Sequence, residues 1–341
     1  MRAAVLSNFG VPLQLAELPV PEPGPGELLI QVRACGVCHS DLHLAEGDWD
    51  LLKRITKMPL VLGHEITGVV AAMGPDTDGF SLGDRVGVPW LHWTCGKCEY
   101  CVSGRETLCG EQAITGVTVD GGYAEYVKAK ASHVARVPDN LSLEEAAPLF
   151  CAGLTVYKAL KSSGIRAGET LAVFGIGGLG HLAVQIAVAQ GVRVAAIDIA
   201  PAKLELAKEC GATWLIDPAK EQPRKALRSV GGAHVAMVCS GAKSAYETAF
   251  PCVRKGGTLV VVGMPADPIP VSAVTLVAGE LRIIASAVGT RADLAELLEL
   301  ASRGGIRCRY ETQPLANAAD ALDRMKRGEI TGRVVLTPDR E

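Results

Sequence analysis

The most constraining feature of this sequence is a regular alternation of apolar and amphipathic segments between residues 170 and 263. The apolar runs are TLAVFG (170–175), VRVAAID (192–198), WLID (214–217), HVAMVCS (234–240) and TLVVVG (258–263). The helix-like segments between them are 178–191, 202–210, 221–229 and 243–253. Short apolar strands that alternate with amphipathic helices are typical of a parallel sheet covered on both faces. The sequence therefore predicts a doubly wound α/β domain in this region.

A glycine-rich turn, GIGGLG at 175–180, follows the first predicted strand and begins the first predicted helix. In that context the G-x-G-x-x-G pattern predicts dinucleotide binding, because glycine permits a tight turn, close approach of the backbone to a pyrophosphate, and close helix–strand packing. The helix N-terminus adds unpaired N–H groups for the phosphates. A glycine-rich turn without a ligand is the alternative. The residues expected to bind the cofactor here are Gly175, Gly177, Gly178, Leu179 and Gly180.

An acidic residue, Asp198, ends the second predicted strand. Its carboxylate can accept hydrogen bonds from both hydroxyls of the adenosine ribose, and it would repel a 2′-phosphate. No arginine immediately follows it. The sequence therefore favours NAD over NADP.

The first 150 residues differ in texture from this region. Runs 28–37, 66–74 and 80–88 are strand-like and are punctuated by glycine and proline, which fits a compact, partly open barrel. After about residue 285 the alternation stops, and the chain continues with helix-like segments 291–305 and 318–329 and the strand-like run 332–336. A chain of 341 residues is long enough for two domains. We expect one domain to comprise 1–152 and 285–341, and the other 153–284.

Composition limits the classes of function. The net charge of −3 comes from 34 basic and 37 acidic residues, which does not suggest a nucleic-acid or membrane surface. No apolar run reaches the length of a membrane span, and the start MRAAVLSNFG lacks the long apolar core of a signal peptide. We therefore expect a cytoplasmic protein. Its eleven cysteines would be reduced there, which favours metal ligation or catalysis over disulfides.

A dense cysteine cluster lies in TCGKCEYCVSGRETLC, residues 94–109. A disulfide knot, an iron–sulfur cluster and structural zinc are the competing interpretations of its four thiols. The spacing C-x2-C-x2-C-x7-C departs from iron–sulfur patterns of the C-x2-C-x2-C-x3-C-P type, whereas four thiolates suit a closed tetrahedral zinc site. The expected structural zinc ligands are Cys95, Cys98, Cys101 and Cys109. A zinc-stabilised nucleic-acid binder is disfavoured, because the chain is acidic and has no basic stripe.

A second candidate metal site is open rather than closed. Cys38, His64 and Cys151 form a Cys2His set, the ligand type of catalytic zinc, and Glu65 could be a displaceable fourth ligand. From spacing alone this grouping stays speculative. GHE is often a structural turn, and Cys151 could be a small buried residue.

Seven motifs between residues 35 and 336 together resemble the zinc-dependent alcohol dehydrogenases of the medium-chain dehydrogenase/reductase family. They are CGVCHSDLH, GHEITGVV, GDRV, the four-cysteine lobe, CAGLTVYKAL, GIGGLG and GRVVL. The chain length and CHSDLH…GDW are most similar to the tetrameric microbial members. The resemblance implies a GroES-like, partly open β-barrel catalytic domain and a Rossmann doubly wound cofactor domain. It also implies two zinc ions per chain, NAD, and a homotetramer, with a homodimer as the alternative.

The resemblance gives a role to each residue of the open site. Cys38, His64 and Cys151 would hold catalytic zinc, and Glu65 would bind it when substrate or water is absent. Asp41 would orient His64 through a ring N–H; a turn-capping aspartate is the alternative. Two further residues, Ser40 and His43, would carry the alcohol proton to the surface by way of the nicotinamide ribose.

The remaining implied contacts concern the cofactor and the substrate. They are His39 and Arg333 for the pyrophosphate, Thr155 and Lys203 for NAD, the backbone of Gly263, Ser286 and Val288 for the nicotinamide, and Trp49 and Trp90 for the substrate pocket. The alternatives are a plain surface imidazole for His39, a solvated Lys203 and ordinary core positions for the two tryptophans.

The expected activity is reversible hydride transfer between a small primary alcohol, aliphatic or benzyl-type, and NAD. Zinc would lower the pKa of the alcohol oxygen, because it acts as a Lewis acid. Secondary alcohols, polyols and aryl-allylic aldehydes are alternative substrates. A non-enzymatic NADH-binding redox sensor is an alternative of another class, although a sensor needs no open zinc site.

Overall fold

The computed structural model describes residues 1–265 and 267–338. The strands in chain order are β1 (Arg2–Leu6), β2 (Gln14–Glu17), β3 (Glu27–Gly36), β4 (Leu60–Val61), β5 (Glu65–Met73), β6 (Arg85–Val88), β7 (Leu91–Trp93), β8 (Ala113–Ile114), β9 (Tyr126–Lys130), β10 (Ala135–Arg136), β11 (Thr170–Phe174), β12 (Arg193–Ile197), β13 (Trp214–Ile216), β14 (Ala233–Val238), β15 (Val253–Val261), β16 (Arg282–Ala285), β17 (Tyr310–Pro314) and β18 (Arg333–Thr337).

The helices have four to twelve residues each. They are α1 (His39–Glu46), α2 (Asp50–Lys53), α3 (Glu99–Val102), α4 (Leu143–Ala146), α5 (Ala152–Ser163), α6 (Gly180–Ala189), α7 (Pro201–Glu209), α8 (Pro223–Arg228), α9 (Lys243–Ala249), α10 (Ala273–Gly279), α11 (Arg291–Ser302) and α12 (Ala318–Lys326). Turns of 3₁₀ helix occur at Glu106–Leu108, Ala131–His133, Ala147–Phe150, Phe250–Cys252 and Leu315–Asn317.

The chain divides into two compact units. The first comprises Met1–Cys151, Gly289–Arg303 and the described residues from Tyr310 onward, and the second comprises Ala152–Val288 and Gly304–Arg309. The domain bounds expected from sequence, 152/153 and 284/285, stay a prediction.

The first unit is built on β-sheets. Its main sheet has the strand order β10-β6-β5-β3-β18-β17, and β9 also pairs with β3. A three-stranded sheet, β2-β1-β4, and the β7-β8 pair complete it. The antiparallel β3–β5 ladder shifts register twice, and such bulges bend and twist strands as a curved sheet requires. Leu28, Ile30 and Ile66 are fully buried in its core.

Helix α1 leaves this sheet directly after β3. Cys38 is its N-cap residue, and the Asp41 carboxylate accepts the Cys38 backbone N–H at 2.9 Å, which completes a capping box. The helix ends at Gly47, whose φ of 73° is the left-handed conformation that glycine adopts readily. Cys38 and Asp41 are therefore fixed by the local chain direction.

The second unit contains a six-stranded parallel sheet in the order β13-β12-β11-β14-β15-β16. Counted within this unit, the order is 3-2-1-4-5-6, that of the doubly wound dinucleotide-binding fold. The central strand β11 is buried at every residue, because helices cover both faces of such a sheet. The doubly wound domain expected from the alternating pattern is present.

The structure corrects two sequence-based element assignments. The segment 243–253 is not one helix, because α9 ends at Ala249, a 3₁₀ turn covers Phe250–Cys252, and β15 begins at Val253 rather than at 258. Strand β16 was not expected. It is an edge strand of four residues, none of them buried, and its apolar run covers only residues 283–285. Within the described residues, every helix is too short or too polar to cross a membrane.

Candidate metal and cofactor sites

The first site lies in the first unit and gathers four donor residues. Cys38 caps α1, His64 precedes β5, Glu65 begins it, and Cys151 follows the 3₁₀ turn Ala147–Phe150. One donor atom from each residue lies within 4.8 Å of all the others. The four residues named from sequence for an open metal site are thus brought together.

The donor atoms of this site fit a metal ion. His64 and Glu65 are fully buried, and within the described residues His64 Nε2 and Glu65 Oε2 have no hydrogen-bond partner. A buried polar atom without a partner is costly, so these two atoms need a cation or another ligand. Two thiols, an imidazole and a carboxylate are the donors that zinc prefers.

The pKa values of the residues in this site depend on one another. The neighbouring Cys151 thiol lowers the pKa of Cys38, and Cys38 raises that of Cys151, because the first thiolate is stabilised by the other thiol and disfavours a second negative charge beside it. Burial lowers the pKa of His64, but the Asp41 carboxylate and Cys38 outweigh it and hold that pKa above its usual range. Burial raises the pKa of Glu65 to about 7, against the opposing charge of Arg333. A divalent cation would favour the deprotonated thiols and a neutral imidazole.

Asp41 lies beside the His64 ring. Its Oδ1 lies 3.2 Å from His64 Nδ1, although the contact lacks hydrogen-bond geometry. Asp41 also accepts the Gly63 backbone N–H at 3.2 Å and the Tyr123 hydroxyl at 2.9 Å. Sequence reasoning did not find Tyr123, which lies 82 residues from Asp41 along the chain.

Arg333 contacts the site directly. Its guanidinium donates to Glu65 Oε1 in a buried ion pair. Sequence reasoning placed Arg333 at the pyrophosphate and did not find this pairing, for which no local pattern gives a signal. The pyrophosphate contact stays a prediction.

Most of the expected relay and pocket residues lie in α1 or shortly after it. Ser40 Oγ lies 3.7 Å from Cys38 Sγ. The half-buried His43 places Nδ1 2.7 Å from Asp48 Oδ2 and its ring 4.7 Å from that of Trp49. His39 is exposed.

Trp90 packs on the imidazole of the metal site. Its ring meets the His64 ring edge-on, with the centroids 4.8 Å apart. The tryptophan therefore packs directly on a predicted metal ligand, which is consistent with a wall of a small pocket.

The four-cysteine lobe is the second metal-ligand group. One sulfur from each of its four cysteines lies within 4.8 Å of the others, with Cys95 and Cys101 3.9 Å apart and Cys109 and Cys95 3.6 Å apart. The backbone N–H of Lys97 lowers the pKa of Cys95 to about 7, whereas desolvation raises that of Cys101 to about 11. These thiols are arranged as a closed tetrahedral site requires.

An ion pair that sequence reasoning missed anchors this lobe. Glu106 lies between the third and fourth cysteines, and its carboxylate accepts from Arg291 at the start of α11, with an Nη2–Oε2 distance of 2.7 Å. Arg291 also donates from Nη1 to the Ser132 carbonyl at 3.0 Å. The partners are 185 residues apart, so no local sequence pattern connects them.

The glycine turn lies in the second unit at the carboxyl end of β11. Gly175 has a φ of 92°, and a Cβ on Gly177 would meet no atom within 4 Å, so the space beside Gly177 is open to a ligand. A Cβ on Gly180 would clash with the Gly175 carbonyl, so glycine is needed where α6 begins. Asp198 fixes the turn, since its Oδ2 accepts the Ile176 N–H at 2.7 Å.

Asp198 is 8% exposed and also accepts the Ala200 N–H, at 2.9 Å, through Oδ1. Each carboxylate oxygen keeps a further lone pair for a ribose hydroxyl. Lys203, in α7, is half-buried, and Thr155 is buried in α5.

The expected nicotinamide contacts lie after β15 and β16. The Gly263 carbonyl accepts the Tyr246 hydroxyl, and the Ser286 backbone N–H donates to Val261 at 3.2 Å. Ser286 Oγ is buried without a partner in the described structure. Val288 has a φ of 40°, a strained conformation for a β-branched residue and one that concentrates at functional sites.

Three further cysteines, Cys35, Cys239 and Cys252, have strongly raised pKa values. None of the eleven cysteines forms a disulfide. Burial raises the pKa of Cys35 well above its usual range and that of Cys239 and Cys252 to about 12, so they stay protonated. They are poor nucleophiles and poor metal ligands for that reason.

A doubly wound unit with a dinucleotide turn and a barrel unit with an open thiol–imidazole site define the class of cofactor-dependent dehydrogenases. Residues 24–139 match the Alcohol dehydrogenase GroES-like domain, and residues 178–303 match Zinc-binding dehydrogenase.

Known proteins resemble the whole chain. An alcohol dehydrogenase of Geobacillus stearothermophilus is 49% identical over 340 residues, 99% of this chain and 100% of that protein. The crystal structure of the alcohol dehydrogenase from the archaeon Aeropyrum pernix is 32% identical, with a TM-score of 0.91 over 99% of this chain and 100% of that one. A structure described as an NAD-dependent alcohol dehydrogenase is 30% identical, with a TM-score of 0.90 over the same shares.

The chain therefore belongs to the zinc-binding alcohol dehydrogenases of the medium-chain dehydrogenase/reductase family, and it is an oxidoreductase. Its fold is the GroES-like barrel with a Rossmann domain that the sequence motifs implied.

Proposed function

We propose that this protein oxidises small primary alcohols, aliphatic or benzyl-type, to aldehydes with NAD, and that it uses two zinc ions per chain. One observation carries the proposal: the donor atoms of Cys38, His64, Glu65 and Cys151 converge within 4.8 Å, with His64 Nε2 and Glu65 Oε2 buried and unpartnered among the described residues. A closed set of four cysteines in the same unit supports the second zinc.

The open site has the ligands that catalysis needs. When bound there, zinc would supply a Lewis acid that lowers the pKa of the substrate hydroxyl. Cys38, His64 and Cys151 would hold the ion, and Glu65 would bind it when substrate or water is absent. Arg333 supports that exchange, because its ion pair holds Glu65 Oε1 while Oε2 stays free.

Ser40 and His43 would remove the alcohol proton. Ser40 Oγ lies 3.7 Å from the sulfur of Cys38 and would receive the proton, which would pass through the nicotinamide ribose to His43. His43 is half-buried, and Asp48 holds its Nδ1 at 2.7 Å, so its ring is oriented with Nε2 available for proton exchange. Trp49, which packs on His43, and Trp90, which packs on His64, would limit the pocket to short or flat substrates.

The quaternary state expected from the resemblance, a homotetramer, remains part of this proposal. Strand β16 is the edge of its sheet, and the adjacent α10 leaves Val274 and Val277 each 79% exposed. Exposed apolar side chains beside an open sheet edge are typical of a subunit interface.

Metal content and substrate range test the proposed function together. We expect elemental analysis to give two zinc ions per chain. We also expect NAD-dependent oxidation to have a higher kcat/KM for ethanol, butanol and benzyl alcohol than for 2-propanol or sorbitol. Much faster turnover of secondary alcohols or polyols would contradict the substrate class. A single zinc per fully loaded chain would contradict the two-site assignment.

The cofactor preference depends on Asp198. We expect Asp198→Asn to lower kcat/KM for NAD by roughly 10- to 100-fold, because a hydrogen bond to a charged acceptor contributes about 1.5–3 kcal/mol. Loss of the negative charge also removes repulsion of a 2′-phosphate, so the preference for NAD over NADP should narrow. Steady-state kinetics with both cofactors measure the change.

Asp217→Asn is the matched control for this variant. Asp217 directly follows β13 as Asp198 directly follows β12, and its Oδ1 likewise accepts the backbone N–H two residues on, at 2.9 Å to Ala219. Asp217→Asn should leave kcat/KM unchanged for both NAD and NADP. An Asp198→Asn protein with the wild-type cofactor preference would refute the role of Asp198 in ribose recognition.

A further inference from the structure

A second polar cleft lies in the Rossmann unit, away from the glycine turn. Its volume is about 590 Å³, and its wall includes His234, Arg254, Lys255 and Arg282. These residues lie at or near the starts of β14, β15 and β16, whereas the glycine turn follows the end of β11. In a parallel sheet the amino ends and the carboxyl ends of the strands lie on opposite sides, so the cleft is separate from the proposed cofactor site.

The wall of this cleft carries an excess of positive charge. Its basic residues are Arg166, Arg254, Lys255 and Arg282, all exposed, and its one carboxylate is Glu169. Glu169 Oε2 accepts the backbone N–H of Arg166 at 2.9 Å. In the described part of the chain, the side chains of Arg166, Lys255 and Arg282 have no hydrogen-bond or ion-pair partner. Like charges that share a cleft repel one another, so a bound anion would be favoured here.

His234 provides an independent sign of a missing acceptor. Its Nδ1 lies 3.1 Å from the backbone N–H of Thr170, and its Nε2 lies 2.6 Å from Arg254 Nη1. Both neighbours are donors, but a neutral imidazole has only one acceptor nitrogen. Whichever tautomer is present, one N–H of the ring faces another donor. Since the Thr170 N–H is fixed in β11, the group that lacks an acceptor is Arg254 together with Nε2–H, both at the wall of the cleft.

We propose that this cleft binds a small, multiply charged phosphate compound. A phosphate oxygen between Arg254 and His234 Nε2 would accept from both donors and remove the mismatch. Arginine forks suit phosphate because they donate two parallel charge-assisted hydrogen bonds, and the unpaired Lys255 and Arg282 would contact further oxygens. The ligand is small because the positive charge is confined to one concave cleft on a chain whose net charge is −3.

Calorimetric titration with pyrophosphate tests the site. The protein is first saturated with NADH, so that the phosphate groups of the probe cannot occupy the proposed dinucleotide site, and the ionic strength is held constant. We expect one pyrophosphate to bind per chain. Arg254→Gln/Lys255→Gln should weaken its affinity by at least about tenfold, because two charged donors are lost. Alcohol turnover and the circular dichroism spectrum should not change, since both side chains are exposed.

Lys225→Gln/Arg228→Gln is the matched control. It removes the same charge from exposed residues of α8 that do not line the cleft, and it should bind pyrophosphate as the wild type does. Arg166→Gln is a second single-site test, because this exposed side chain lines the cleft and has no partner within the described structure to disturb. The Arg166→Gln protein should also bind pyrophosphate more weakly than the wild type.

Parallel titrations with inorganic phosphate and adenosine 5′-monophosphate identify the form of the ligand. Tighter binding of the nucleotide would support the proposal for a nucleoside phosphate, and equal binding would support it for the phosphate group alone. The proposal is overturned if the NADH-saturated protein binds no pyrophosphate, or if Arg254→Gln/Lys255→Gln binds it with unchanged affinity. Neither result bears on alcohol oxidation, which is measured separately.

Discussion

Replacement of Cys38 by serine is expected to lower kcat/KM for alcohol oxidation by roughly a thousandfold or more. The variant keeps His64, Glu65 and Cys151 but loses a sulfur that sits within 4.8 Å of their donor atoms. A serine hydroxyl stays protonated at neutral pH and is a poor zinc ligand, so the Lewis acid should be lost from the open site. Its contribution of about 4 kcal/mol to the transition state corresponds to three factors of ten.

The same variant should keep its affinity for NADH. The dinucleotide turn and Asp198 lie in the other unit and do not include Cys38. Fluorescence titration with NADH, steady-state kinetics and elemental analysis would be made on one preparation. We expect one zinc per chain to be lost, and the loss of activity to follow the loss of zinc.

Cys252→Ala is the matched control, because it removes a buried sulfur that lies in the other unit. Cys252 is 4% exposed, and burial raises its pKa to about 12, so it stays a thiol. This control should keep both zinc ions and near-normal kcat/KM. A Cys38→Ser protein with wild-type turnover would show that the catalytic zinc lies elsewhere.

The doubly wound domain was predictable because its signals are local. Each central strand is a short apolar run, and glycines mark the turn between β11 and α6, so periodicity alone identified most elements. Prediction failed for β16, although β13 at the opposite edge of the same sheet was expected. β16 has four residues, none of them buried, and its apolar run of three residues is too short to stand out from the surrounding sequence.

The candidate site was only partly predictable, for a related reason. Its thiols and imidazole stand in recognisable motifs, but the contacts that orient them join distant segments. The Tyr123 hydroxyl donates to Asp41 across 82 residues, and Arg333 reaches Glu65 across 268. Such pairs form only when the barrel closes, so a single sequence carries no signal for them.

Replacement of Cys98 by serine is expected to have the opposite profile to Cys38→Ser. We predict loss of one zinc per chain and a fall in Tm of about 10 °C or more, because loss of a structural metal costs several kcal/mol and each kcal/mol shifts Tm by about 2–4 °C in a domain of this size. The lobe has little apolar core to compensate, since Val102 and Leu108 are 71% and 55% exposed. Differential scanning calorimetry and elemental analysis measure both effects.

Loss of the zinc should also destabilise the first unit beyond the lobe, because Glu106 links the lobe to α11. Its side chain is 7% exposed and paired with Arg291, which also bonds Ser132. If the lobe unfolds, this ion pair and the hydrogen bond from the Arg291 backbone N–H to Glu106 Oε1 are lost, which removes a stabilising link between the lobe and the start of α11. Val102→Ser is the control from the same lobe: replacement of its exposed side chain should alter neither zinc content nor Tm.

Below the lowered Tm, Cys98→Ser should still oxidise alcohol at close to the wild-type rate, since it retains the open site. If Cys98→Ser instead lost activity with an unchanged Tm, the closed site would be the catalytic one, and the roles assigned to the two cysteine sets would be reversed.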